Sequence, residues 1–318
     1  MKLFRTLTLV VSFAAAGCAG THVNAGTAPA PDSFAPLPPA VRGALTRRSK
    51  QNQDPFRHAF YLARAPFDDV EIYSNEDYHF MGRITDGIAE PVAVSMDLND
   101  NLYVANYRNG NVTEYAPGAT TPSFVYNADM SHPVAVTVDR FGDVYEADAN
   151  GYVIQYLQGD NQVFNRCGPR QEAVPTALAV DGNGHVFVSY YSYEGRGGLF
   201  EYQYGLYECP DKVFLPAIGT DATSDLVMDA NKNLIAIGQP AVPAINVIAP
   251  PYSSITRKIG WAWVYGASLD RDNKLLFVAY GPTVTIFDYR TGVELRSLDG
   301  EYGIYGGTAI VDAPNAVY

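Results

Sequence analysis

Basic residues, histidine and cysteine are all scarce in this chain of 318 residues: 22 Lys+Arg stand against 34 Asp+Glu, with five histidines and three cysteines. An acidic excess repels phosphate backbones, so nucleic acid is not expected as a partner. No Cys-x-x-Cys pair, phosphate loop or Gly-x-Ser-x-Gly elbow occurs, which removes three common catalytic signatures. Long apolar runs are missing too: the clearest, Leu7 to Ala16, is about half of what a bilayer-spanning helix needs. What is plentiful is glycine (28), proline (21) and aromatic residues (13%) in a composition 47% hydrophobic. That balance suits a well-filled, β-rich domain with many turns.

Lys2 and Arg5 precede the apolar run, which ends in Ala15-Ala16-Gly17-Cys18, so residues 1–17 read as an export signal absent from the mature protein. Small residues before a cysteine resemble the lipobox of bacterial lipoproteins, in which the cysteine is lipidated and becomes the new amino terminus. Ala15 replaces the usual leucine, and the alternative is ordinary cleavage that leaves a chance cysteine. The resemblance implies a membrane partner through lipid on Cys18 and an exported, envelope location; Ala19, rather than Asp, would permit outer-membrane sorting. Losing Lys2 and Arg5 leaves 20 basic against 34 acidic residues, a net −14. Residues 18–56 are rich in Ala, Pro, Thr and Ser, carry Arg42, Arg47, Arg48 and Lys50, and show no apolar period. They are expected to be a flexible, solvated tether, with anionic headgroups a weaker reading of the basic cluster.

Residues 57–318 contain a repeat. Pro91-VAVSMD-LNDNLYVAN, Pro133-VAVTVD-RFGDVYEAD and Pro175-TALAVD-GNGHVFVSY align without gaps at a spacing of 42. Weaker copies occupy 224–238, 265–280 and 306–318, so that Asp97, Asp139, Asp181, Asp229, Asp270 and Asp312 mark one place in six units. Each unit holds two antiparallel strands about a tight polar turn, then a third strand such as Val112 to Tyr115 or Val153 to Tyr156, and a more polar fourth. A lone four-stranded sheet cannot bury both faces, so the expected fold is all-β: a six-bladed β-propeller with four-stranded antiparallel blades.

These units resemble NHL repeats, in which a strand ending in Val-x-Val-Asp is followed by Gly-Asn-Ile-Tyr-Val-Ala-Asp or a variant. The likeness covers about 260 residues and speaks for fold more than for function. The ring is expected to close with the termini sharing one blade: Phe60 to Arg64 supply its second strand, Val70 to Tyr73 its third, and Gly307 to Asp312 its first. Asn315 to Tyr318 compete for the second-strand place.

The six aspartates sit where inner strands enter tight turns, so they are read as turn-capping residues, not a carboxylate ring. The resemblance places function at the face where second strands end and crossovers arrive. That face is assigned Arg64, Asn106, Tyr107, Asp148, Tyr190, Tyr191, Gln239 and Tyr280 from the strand exits, with His132, Trp263 and Tyr305 from the crossovers. Tyrosine and tryptophan give apolar area with a polar tip, suiting glycans, small molecules or protein ligands, while aromatics packed between blades remain the bland alternative. Gluconolactonase-like propellers hold a divalent cation; Asn106, Asp148 and Glu90 are the nearest candidates here and fall short of a calcium shell. Amidating-lyase propellers gather histidines around zinc, whereas of His22, His58, His79, His132 and His185 only His132 belongs to that face. No metal and no cofactor are therefore expected. Cys167 and Cys209 follow corresponding outer strands, and export permits a disulfide, although equivalent positions on diverging blades need not meet. The leading expectation is a non-catalytic ligand- or protein-binding propeller; the rivals are a metal-dependent hydrolase or lactonase and a structural role in envelope assembly through the blade rims.

Overall fold

The computed structural model describes residues 59–311, apart from 169–172, 193–196, 208–211, 220–221, 239–243, 261–263, 281 and 300–308. The chain divides into the units Met1–Gln53 and Asp54–Tyr318, and every described residue lies in the second. The export signal, Cys18 and the whole tether thus lie outside the described residues.

Six four-stranded antiparallel sheets make up the fold. Blade 2 runs β4 (Pro91–Met96), β5 (Leu102–Asn106), β6 (Asn111–Tyr115) and β7 (Phe124–Tyr126) from the axis outward. Blade 3 repeats this with β8 (Pro133–Val138), β9 (Val144–Asp148), β10 (Val153–Tyr156) and β11 (Val163–Cys167), and blade 4 with β12 (Val174–Val180), β13 (Val186–Tyr191), β14 (Gly198–Leu206) and β15 (Val213–Leu215). Blade 5 is β16 (Asp225–Met228), β17 (Leu234–Ile237), β18 (Ile245–Ile248) and β19 (Arg257–Ile259); blade 6 is β20 (Gly266–Leu269), β21 (Leu275–Tyr280), β22 (Thr283–Asp288) and β23 (Glu294–Leu298).

Blade 1 joins the two ends of the chain. Its outer strands are β1 (Ala59–Arg64), β2 (Asp69–Ser74) and β3 (Phe80–Ile84), while β24 (Ala309–Val311) takes the inner place and pairs with Tyr61–Ala63. The six inner strands β24, β4, β8, β12, β16 and β20 touch one another in turn, closing the ring. The expected six-bladed propeller with a shared terminal blade is what forms. Asn315 to Tyr318, the competing segment, lie outside the described residues.

Each blade interface carries its own apolar cluster. Side chains alternate along a strand, so Val104 packs back on Val70 and Ile72 of blade 1 while Tyr103 and Ala105 pack forward on Val136 and Ile154 of blade 3. Both faces of every blade are buried in this way. That is why the strands read as near-continuous apolar runs and why no blade is stable alone.

The repeated aspartates close the turns between first and second strands. Asp97 Oδ1 accepts the amides of Asn99 and Asn101 at 2.8 and 2.9 Å, and Asp139, Asp181 and Asp229 take the same two partners in their own turns. Asp270 accepts from Lys274 and Leu275 instead, because its turn is one residue longer. Asp312 lies outside the described residues.

Candidate functional site

Inner strands begin, and second strands end, on one face of the ring, so the strand exits and the incoming crossovers meet there. The residues assigned to this face divide into two kinds. Asn106, Asp148, Tyr190 and Arg64 are buried inside it. Tyr107, His132, Tyr191 and Tyr280 reach its surface. Gln239, Trp263 and Tyr305 lie outside the described residues.

Asn106 and Asp148 occupy the same place in successive repeats and do the same job. The Asn106 side-chain oxygen accepts the Ala89 amide at 3.1 Å, and its nitrogen donates to Asn111 and Thr113, both at 3.0 Å. Asp148 Oδ2 accepts the amides of Ser131 and His132 at 2.7 and 2.9 Å, and Oδ1 accepts Asn150 at 2.8 Å. Each clamps the crossover arriving from the preceding blade, satisfying amides that a loop would otherwise leave orphaned. Neither side chain is held free for a substrate or cation. Glu90, the third candidate ligand, faces Arg108 at 3.5 Å and not Asp148.

Arg64 lies under the face in an ion-pair network. Its Nη2 is 2.5 Å from Asp69 and 3.0 Å from Glu71, and Arg83 reaches the same two carboxylates from β3. Tyr190 points between blades 3 and 4, its hydroxyl 2.8 Å from that of Tyr202. Strand parity explains the placement: Tyr191, the next residue, points the other way and is exposed.

The exposed part of the face is aromatic. Phe67 is 54% exposed, Tyr265 55%, Tyr191 44% and Tyr280 43%. Tyr265 and Tyr280 stack, with centroids 6.5 Å apart and planes 16° from parallel. Tyr107 lies against His132 at 4.9 Å, and Ser131 Oγ is 2.7 Å from His132 Nδ1. Gly110 permits this approach: at φ +60, a Cβ there would sit 2.6 Å from the Ser131 carbonyl oxygen. The Arg64 guanidinium supports the Phe67 ring from 4.5 Å. Arg108 adds ion pairs at the surface of this sector, 2.9 Å from Asp68 and 3.5 Å from Glu90.

Phe67, Tyr265 and Asp225 of this face were missed in the repeat alignment. Tyr265 replaces the valines Val92 and Val134 of other inner strands, and Asp225 replaces Ala93 and Ala135. The signal was there as departures from the repeat, but an alignment read for agreement passes over them.

A cavity of about 460 Å³ opens on the opposite face, between blades 5 and 6. Its polar walls are mutually engaged. Tyr289 donates to Asp229 at 2.8 Å, Asn233 to the same carboxylate at 2.7 Å, and Arg257 to the carbonyls of Tyr289 and Arg290. His185 is also on that face, near Asp181 and Glu201. Among the described residues, no group of three or more His, Cys, Asp or Glu side chains has the arrangement of a metal site. Cys167 is disulfide-bonded, and the other two cysteines of the chain lie outside the described residues.

No protein-family model matches the chain, and no curated protein is similar to it. Among solved structures, a chain of the crystal structure of a nidogen/laminin complex superposes on it with a TM-score of 0.64, covering 80% of this chain and 97% of that one at 11% identity. At that identity the likeness is one of fold. This chain is a six-bladed β-propeller.

Proposed function

We propose that the protein is a non-catalytic binding propeller, of NHL type by its repeats, held at a bacterial cell envelope by lipid on Cys18. The supporting observation is the exposed aromatic surface of Phe67, Tyr191, Tyr265 and Tyr280 on one face of the ring, with Tyr107 half-buried beside His132. Exposed rings with hydroxyl tips supply contact area at low entropic cost and suit a partly apolar ligand, whether glycan, peptide or small molecule. The nearest donors for lactonase chemistry, Asn106 and Asp148, are spent on backbone amides, which favours binding over metal-dependent hydrolysis.

Calorimetric titration of the mature protein against glycan and peptide libraries tests the reading, beside a Tyr265→Ala/Tyr280→Ala variant. Wild-type binding weakened tenfold or more in the variant, with its melting temperature nearly unchanged, is the expected result. Turnover of lactone substrates that depends on an added divalent cation would overturn it.

A further inference from the structure

The inner strands surround a narrow axial channel, and the space described in it lies near its mouth among Val92, Ala93, Val134, Ala135, Asp225 and Tyr265. Its volume, about 20 Å³, is room for a group the size of one water molecule. The rest of the wall is aliphatic except Ser224, whose hydroxyl is occupied by the carbonyls of Ile237 and Val264 at 3.0 and 2.7 Å. Among the described residues, Asp225 is the sole charged residue of this wall.

Its carboxylate is only half used. Oδ1 accepts the Leu226 amide at 2.8 Å and Oδ2 the Ala267 amide of the next blade at 2.9 Å. A carboxylate offers about four acceptor positions, so each oxygen keeps a lone pair. A single negative charge in an apolar, water-sized space with two open acceptor positions asks for a small cation that carries several donors. Guanidinium and quaternary ammonium groups exceed the space, and a divalent metal needs about six oxygens that this wall does not provide. The Tyr265–Tyr280 stack stands at the entrance, where aromatic faces attract a passing cation.

We propose that the channel mouth receives a primary alkylammonium group, its –NH3+ against Asp225 and its stem beside Tyr265 and Tyr280. This rests on the binding-face reading and names the ligand chemistry: a lysine side chain of a partner protein or a free polyamine.

The mature full-length protein is titrated calorimetrically with n-butylammonium, with n-butanol as the neutral control. Burial among aliphatic walls pushes the Asp225 carboxyl up to about 7, and the ligand needs it ionised. Saturable binding is therefore expected at pH 8, weakening by about tenfold at pH 6 as the carboxyl takes a proton, with none for n-butanol. Asp225→Asn should cost tenfold or more while keeping an oxygen for one amide. Ala93→Leu, which fills the space and leaves Asp225 in place, should cost as much, and it decides the matter if Asp225→Asn does not fold. Tighter binding of 1,4-diaminobutane than of Nα-acetyl-lysine methylamide supports the site with a polyamine as its source, and the reverse order supports it with a lysine side chain. No saturable binding, equal binding of n-butanol, or wild-type affinity in the variants would overturn the inference. If glycan or peptide binding still depends on Tyr265 and Tyr280, such a failure leaves the binding-face reading standing. Cation-dependent lactone turnover would sink that reading instead.

Discussion

Glu146 sits fully buried in the middle of β9, and neither of its carboxyl oxygens meets a hydrogen-bond partner. Burial, and secondarily the charge of Asp148, holds its carboxyl well above the usual carboxylate range. The folded protein therefore keeps the neutral acid, whereas the unfolded chain ionises near pH 4.3. A folded-state pKa raised in this way gives stability that is complete below the unfolded value and lost as pH rises towards the folded one. Across that window the unfolded state holds about one proton fewer, and stability falls by roughly 1.4 kcal/mol per pH unit. Accumulated towards the folded value, the penalty reaches on the order of a few kcal/mol, a sizeable fraction of an ordinary domain's 5–15 kcal/mol. The repeat supplies the remedy, since Val104, Val188 and Val278 hold the same place in other blades. Glu146→Leu, closer in volume, should be more stable than wild type in urea unfolding at pH 7, and its advantage should grow by roughly 1.4 kcal/mol for each unit between pH 5 and 7. Stability curves that run parallel across that range would refute the reasoning.

Asp148→Ala should lose roughly 2–5 kcal/mol by orphaning the Ser131 and His132 amides, while Asp148→Asn, which keeps an acceptor oxygen, should lose about 1 kcal/mol; chemical denaturation distinguishes them. Deleting the chain from Ala309 onward removes β24, the inner strand of blade 1, and should cost more than a few kcal/mol, enough to abolish a cooperative thermal transition. Cys167 Sγ lies 3.6 Å from the carbonyl oxygen of Leu206, three residues before Cys209, and a lipid would consume the thiol of Cys18. Peptide mapping should therefore find Cys167 bonded to Cys209, and Cys209→Ser should lower stability by about 4 kcal/mol, the entropy of a 42-residue loop. Cys18→Ser should move the protein from the membrane to the soluble fraction on ultracentrifugation.

The architecture was legible because the repeat writes its period, its turn aspartates and its strand boundaries in local chemistry. Pro91 and Pro133 open their inner strands and Pro175 is the second residue of its own, where no ladder amide is needed, and the Asp at the end of each run caps the turn whatever the rest of the chain does. Even the shared terminal blade followed by counting, since a β1–β2 pair without a first strand had to borrow one. The candidate site was legible only in part. Position in the repeat brought Tyr107, His132, Tyr191 and Tyr280 to one face of the ring, because strand ends are fixed by the period.

Whether an end residue faces solvent or a neighbouring blade is a different matter, decided by the side-chain direction at the last pleat and by what arrives opposite. Tyr190 and Tyr191 are neighbours in sequence, yet one is core and the other rim. Asn106 and Asp148 look like polar groups offered to a ligand until the crossovers from the preceding blades are seen to deliver their amides to them. Asp225 is one carboxylate among many until the inner strands assemble around it and remove most of its water. The sequence by itself determined the six units, their strands and their turns, because those depend on residues a few positions apart. Tertiary structure alone decided which polar side chains are spent on backbone and which keep open acceptor positions, because burial and partnership are set by chain segments 17 to 42 residues away.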